Sequence, residues 1–496
     1  MEMQWKAVPC SYLRCAVREV QNQEQTLELR LTEGMPDIGR VLCAWGQPQL
    51  REKQWRSEEI SISGGVNAWV LYIPEDGSYP RCVEGWIPFQ AKWRLPPDTY
   101  EGYIRAEVGL RGMDARAISS RKMIVRASLA LVGEALVQQE SAVSQPEEIP
   151  DDIYLLRQTY PVQLAREAGE KLFSVEDGLN LAQEQPLKLL CCRLGCQVTE
   201  QAVTGSRIVL RGVLDVSYLY VGQDERIHSG IQQLPFAQYA DLEGDYDKEA
   251  TCAITMSFAG MECVLEGDSL QIKCDMVAQY VIHDRCLLQV TEDAYSPHRE
   301  AVPVVAQLEI PVLLDQLREK MDACMEIPLE AQSVVDTVLL PDHPVHYREG
   351  DHLEVELPGL FQLLYYDAEG NLQSTTVNWA GHWQMRACES CNVRISLEQT
   401  AHPSVMMLGD KLRLEGEVSL DVQTGTWQQI PMVTGLVVGE HGQPDPNRPS
   451  VILRRPGSLN LWQLAKSCGS TVEAIEKANG LTGEPDPDNM LLIPVI

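Results

Sequence analysis

The chain predicts a mainly β protein: three tandem antiparallel β-sandwich-like repeats followed by a small βααβ domain. Three observations predict it. Gly65 in Ser-Gly-Gly-Val, Gly212 in Arg-Gly-Val and Gly359 in Pro-Gly-Leu each open an apolar, Tyr-bearing run closed by an acidic turn. They recur at a constant interval of 147 residues, longer than any solenoid unit and equal to a whole small domain. Second, many short segments alternate apolar and polar residues with the period of two that sets one face on a core and the other in water. Third, the pattern from Val451 onward changes to helical spacing.

Each repeat begins with a hairpin. Val66–Ile73 leads into Pro74-Glu75-Asp76-Gly77 and returns from Arg81 to Phe89. Val213–Val221 leads into Gly222-Gln223-Asp224-Glu225, and Leu360–Tyr366 leads into Asp367-Ala368-Glu369-Gly370-Asn371. Gly, Asn and Asp gather there because tight reversals need positive φ. A second strand pair follows in each repeat. Met123, Val125, Ala127 and Leu129 alternate with polar neighbours, as do Leu270, Ile272 and Met276, and then Leu412, Leu414, Val418 and Leu420. Gly267-Asp268 and Gly409-Asp410 introduce the second and third of these runs, whereas the first has Ser120-Arg121.

The predicted domains are 1–137, 151–295, 312–438 and 450–496. Proline-bearing polar stretches, Gln138–Pro150, Ser296–Pro311 and Gly439–Pro449, read as linkers. Leu313–Met325 reads as a short helix, since Leu317, Met321 and Cys324 fall near helical spacing.

In the last unit, Val451–Leu453 predicts a strand and Pro456-Gly457-Ser458 a turn. Leu461, Leu464, Ala465 and Cys468 then lie on one face of a helix, which Gly469 ends. Ser470-Thr471-Val472-Glu473 has the pattern of a capping box. Val472, Ile475 and Ala478 supply the second helix, Asn479-Gly480 stops it, and Met490–Pro494 closes as a strand.

Composition narrows the function. The 496 residues carry 71 acidic and 41 basic side chains, a net charge of −30. No Lys/Arg cluster interrupts that excess, which argues against nucleic acid and anionic lipid as partners. No apolar window is long enough to span a membrane. The N-terminal Met-Glu-Met-Gln-Trp-Lys lacks the features of a secretory signal. Fifteen irregularly spaced cysteines, many in strand-like runs, fit free thiols in a reducing cytoplasm.

The last unit resembles the LysM domain, through Pro456-Gly457-Ser458, Leu461-Trp462-Gln463-Leu464-Ala465, Thr471-Val472-Glu473-Ala474-Ile475, Asn479 and Leu492-Ile493-Pro494. The resemblance implies a shallow groove for N-acetylglucosamine polymers, formed here by Gly457, Ser458, Leu459, Asn479, Gly480 and Leu481; the outward Lys466 is expected beside them as a further contact. Gly457-Ser458-Leu459-Asn460-Leu461 and Pro487-Asp488-Asn489 depart from the usual loop sequences, which shifts the expectation from sugar towards protein. Trp462 is expected to pack structurally.

The repeats resemble the spore-coat-associated (SPOCS) domain through Pro36-Asp37-Ile38-Gly39-Arg40-Val41-Leu42, Gly64-Gly65-Val66, Leu71-Tyr72 and Met113-Asp114-Ala115-Arg116. Three such domains before one LysM are similar to a family of clostridial spore morphogenesis proteins. That resemblance implies a cytoplasmic scaffold on the mother-cell side of the forespore surface. Its LysM recruits a spore-coat ATPase, and its β domains gather other coat proteins. Peptidoglycan binding is the alternative.

No phosphate loop, His-Glu-x-x-His or nucleophile elbow occurs, so no catalytic residue, cofactor site or metal site is assigned. Cys388-Glu389-Ser390-Cys391, near His382 and His402, lacks the second close pair a structural zinc site needs. Cys191-Cys192 with Cys196 reads as buried, and His343-Pro344-Val345-His346 as a loop.

Overall fold

The computed structural model describes residues 3–350, 352–386, 391–400, 402–440 and 448–496. The chain is mainly β, with two short helices near its end.

The first stretch contains β1 (Trp5–Arg30), β2 (Ile38–Arg56), β3 (Glu59–Pro74), β4 (Arg81–Arg94), β5 (Tyr103–Ser119) and β6 (Lys122–Pro146). They form two antiparallel sheets, β1-β6-β5 and β2-β3-β4. Ile62, Val66, Phe89, Met123, Leu129 and Leu131 meet between them. The alternation read from Met123 onward is thus the inward face of β6.

The second stretch contains β7 (Tyr154–Asn180), β8 (Lys188–Val221), β9 (Ile227–Tyr246), β10 (Thr251–Glu266) and β11 (Ser269–Tyr295). Its sheets are β10-β11-β7 and β8-β9. Gly205 lies in β8 at φ 59°, and the strand folds back so that Leu187 N donates to Val221 O at 2.8 Å.

The third stretch contains β12 (Ala301–Ile327), β13 (Ser333–Pro341), β14 (Val345–Glu349), β15 (His352–Tyr366), β16 (Leu372–Arg386), β17 (Asn392–Thr400), β18 (Ser404–Leu408) and β19 (Lys411–Val438). One sheet runs β12-β19-β17, with β18 also on β19; the other joins β13, β14 and β16 to β15.

All three stretches are wired alike: a long first strand pairs antiparallel with the last, β1 with β6, β7 with β11 and β12 with β19. Each long ribbon spans two environments. One end covers its own stretch's core; the other reaches a core shared by all three, where Tyr12, Val143, Leu164, Val290, Ile310 and Ile430 meet. Irregularities in register, such as Cys15/Val17, Ile282/His283 and Leu313/Asp315, lie along these ribbons, as strand bending requires.

Several expectations are corrected here. Residues 313–325 lie within β12, not a helix: Met321 and Ala323 alternate inward while paired with Val418 and Gly416. Most of Gln138–Pro150 belongs to β6, and most of Ser296–Pro311 to β12. The prolines that suggested linkers sit where a missing N–H costs no ladder bond. Pro303 and Pro311 lie in β12, the edge strand of its sheet, a position that tolerates proline. Residues 441–447 of the third expected linker lie outside the described residues.

The glycine register also shifts by one. A Cβ on Gly212 would meet Gln197 O at 2.4 Å, and on Gly359 it would meet Leu340 O at 3.0 Å. In the first stretch it is Gly64 that faces a carbonyl in this way, Gln49 O at 2.0 Å, while Gly65 lies against the Trp86 ring. All three are close backbone approaches; those at Gly64 and Gly212 exclude a side chain, and that at Gly359 leaves it tight.

Candidate docking site at the C-terminus

The last unit comprises β20 (Val451–Arg454), α1 (Leu461–Cys468), α2 (Val472–Asn479) and β21 (Leu491–Pro494), with β20 and β21 antiparallel. Both helices are only two turns long, so they depend on packing and caps rather than on propensity. Asn460 caps α1 reciprocally with Gln463, and Gly469 closes it at φ 61°. The expected capping box at Ser470–Glu473 is not formed. Thr471 is the N-cap, accepting from Ala474 N, and the Ser470 hydroxyl is buried without a partner. Leu464, Ala465, Ile475 and Ile493 form the core.

Tyr295, the last residue of β11, belongs to that same core. Its hydroxyl donates to Ser470 O at 3.0 Å, and its ring meets Trp462 edge-on at 4.8 Å. Trp462 Nε1 donates to Asp293 Oδ2 at 2.8 Å, and Lys466 Nζ reaches the same carboxylate at 2.7 and 2.9 Å. Arg448 bonds both Pro297 O and Gly469 O at 3.2 Å. The α1 face is therefore the attachment of this unit to the second stretch.

This sorts the expected contact residues. Lys466 is engaged by Asp293 instead of pointing freely outward. The Asn479 amide donates to Ile475 O and Leu492 O and accepts from Leu492 N, so its polar atoms are spent tying α2 to β21. Leu459 and Leu481 pack partly against the core. Gly457, Ser458 and Gly480 are exposed, and Gly457 N donates to Pro487 O at 3.2 Å, joining the two loops.

A feature not anticipated lies on the outer sheet face. Leu453 pairs directly with Leu492; they are 64% and 38% exposed, and Val451 and Met490 are exposed beside them. The signal was present in Val451–Leu453, where apolar residues occupy both faces of a strand that has only one face to bury. Asp293 and Tyr295, by contrast, carry no local signature.

Replacing Asp293 by alanine is expected to loosen α1. The ion pair is partly exposed, at 37% and 25%, so its net worth is about 1 kcal/mol. Amide exchange across Leu461–Cys468 should accelerate on the order of fivefold while β7 is unchanged. Unchanged exchange in α1 would show that Tyr295 and Arg448 hold the unit without the Asp293 carboxylate.

Elsewhere, Cys191 and Cys192 are buried free thiols, Cys196 is a partly buried one, and burial pushes Cys191 up to about 12. Cys388 lies outside the described residues. His343 and His346 are both shifted down, first by burial and then by Arg18. Among the described residues no group of three or more His, Cys, Asp or Glu side chains is arranged to hold a metal ion, and no helix is long and apolar enough to cross a membrane. No protein family, curated protein or solved structure matches this chain.

Proposed function

We propose that this chain is a non-enzymatic scaffold of the spore envelope. In this reading, three tandem β-sandwich-like SPOCS domains carry a C-terminal LysM-like adaptor that docks a coat-basement ATPase on the mother-cell side of the forespore. The like wiring of the three long ribbons and the shared glycine–carbonyl approach support the repeat. One observation carries the adaptor role: the terminal unit is fastened through α1, leaving the opposite sheet face apolar and bare beside the exposed loops at Ser458 and Gly480. A protein surface suits such an apolar patch better than a sugar, which needs convergent polar groups.

Affinity capture from sporulating cells tests it. The full chain should retain the ATPase, and removal of 451–496 should abolish capture. Leu453→Asp or Ser458→Arg should weaken it about tenfold, as for a contact at the centre of an interface. Capture that survives removal of the unit would refute the adaptor role. Sedimentation of the full chain with purified peptidoglycan would favour the alternative, a wall-glycan binder. Leu459→Asp is less informative, because Leu459 also supports the unit's core.

A further inference from the structure

The three stretches border a half-open cavity of about 330 Å³, to which β2, β5, β8, β10 and β13 all contribute wall. That volume lies within the range of small-molecule sites. Much of the wall is apolar, with Leu50, Val132, Leu194, Phe258 and Leu340 among the lining side chains.

Into this wall is set Asp215, 5% exposed. Its carboxylate accepts from Gln197 Nε2 at 2.5 Å and Gln233 Nε2 at 2.8 Å. Both donors are neutral amides, and among the described residues no cationic side chain lies within ion-pair distance of it. The other lining carboxylates are provided for. Asp342 pairs with Arg111 at 2.6 Å, and Glu107 accepts from Ser396 and faces the charge of Arg394. Arg193 also lines the cavity, but its guanidinium is committed to Asp336 in a two-bonded pair. The histidines on the wall, His343 and His402, are shifted down by burial first of all, with Asp336 and Asp215 drawing His402 in the opposite sense.

The chain contains its own control for this position. Counting from Gly64, Gly212 and Gly359, the third residue onward is Asn67, Asp215 and Gln362. Two neutral amides and one carboxylate occupy matching places. A buried anion is costly unless paired, so the single charge favours a counter-ion, and among the described residues no cationic side chain stands within ion-pair distance to serve as one. A metal ion would require several converging oxygen donors, whereas the other carboxylates on the wall, Asp342 and Glu107, are committed to Arg111 and Ser396.

We propose that this cavity binds a small organic cation, a primary alkylammonium whose nitrogen sits on Asp215 and whose carbon chain lies along the apolar wall. The full chain is titrated calorimetrically with butylamine and 1,4-diaminobutane, and with 1-butanol as the neutral isostere. Saturable binding of the amines and not of the alcohol is expected. Asp215→Asn should weaken it by at least about tenfold and, without amine, should raise the melting temperature. Ser257→Phe, which fills the cavity from another wall and leaves Asp215 intact, should also abolish binding and guards against a folding failure of the first variant. Equal binding of butanol, amine affinity unchanged in Asp215→Asn, or no saturable binding to the full chain would overturn the proposal. The second outcome would assign the uptake to diffuse attraction by the net charge of −30.

Discussion

Glu134→Ala is expected to destabilise the chain by about 3–5 kcal/mol, the range for removing one partner of a buried ion pair. Glu134 is 2% exposed and lies in β6 of the first stretch. Its carboxylate bonds the Arg394 guanidinium of β17, with Nη1 to Oε1 at 2.6 Å. Directly opposite it in the ladder stands Arg105, also 2% exposed, whose Nε donates to Thr255 Oγ1 in β10 at 2.8 Å. Arg18 reaches Ile395 O and Ser396 Oγ, each at 3.2 Å. One carboxylate thus neutralises a meeting point of all three stretches. Its removal takes from the Arg394 and Arg105 guanidiniums the carboxylate that offsets them most, with Glu107 and Asp421 acting more weakly, whereas Glu134→Leu with Arg394→Met removes one charge of each sign. The pair variant should recover a large part of the loss. The midpoint of denaturant unfolding measures this; a pair variant as unstable as Glu134→Ala would show that the uncompensated guanidinium charge is not the source of the loss.

The same junction sets the acid response. Burial alone would raise the Glu134 carboxyl, but Arg394, Arg105 and Arg18 together hold it below its usual range. Its contribution is therefore present above the ordinary carboxylate pKa and lost as pH falls through the depressed one. His283 adds a second, earlier onset. Burial first, then Arg394 and Arg105, lowers it from 6.5 to about 3, and its Nδ1 is buried without a partner. The unfolded chain takes up a proton below pH 6.5 that the folded chain refuses until about 3. Stability should therefore fall between those values by about 1.4 kcal/mol per pH unit for this one group. His283→Gln should shift the onset down towards the carboxylate range, and an unmoved onset would place the acid-sensitive group elsewhere.

Local order was the legible part of this chain. Met123, Val125, Ala127 and Leu129 announce a strand because alternation is imposed by pairing neighbours alone. Leu461, Leu464, Ala465 and Cys468 announce α1 for the same reason. The 313–325 segment misled because Leu317, Met321 and Cys324 satisfy helical spacing, while the alternative alternation of Met321 and Ala323 was too short to outweigh it. The ladder to β19 decides the outcome, and its partners lie roughly a hundred residues away, where no local window reaches. The prolines misled through their context: the same residue marks a linker or an edge strand, and only the sheet order distinguishes them. The candidate site was half visible. The loops and helices of the last unit could be placed from their own residues. The attachment through Asp293, which engages Lys466 at the surface, depends on a contact across the chain.

Disrupting the second meeting point should have a comparable effect and also reveal what it specifies. Trp45, Arg193 and Asp336 each stand the same distance before the carbonyl that faces the close-approach glycine, at Gln49, Gln197 and Leu340. They converge. Arg193 Nη1 and Nη2 bond the two Asp336 oxygens at 2.8 and 2.7 Å, with side-chain exposures of only 10% and 3%. The guanidinium carbon lies 5.4 Å from the Trp45 ring centroid. Around them, Leu71, Leu190, Leu219, Val335 and Leu364 from all three stretches form a common core. An aromatic ring, a cation and an anion at matching places fit one another in a single arrangement, so stretches that are alike in wiring are made unlike where they touch. Arg193→Asp should therefore cost about 3–5 kcal/mol or more, since it sets two carboxylates together in a buried site. Adding Asp336→Arg restores opposite charges and should return more than half of that loss. If the reversed pair is no more stable than Arg193→Asp alone, then the orientation of the guanidinium against Trp45, and not the charge pairing, fixes how the three stretches meet.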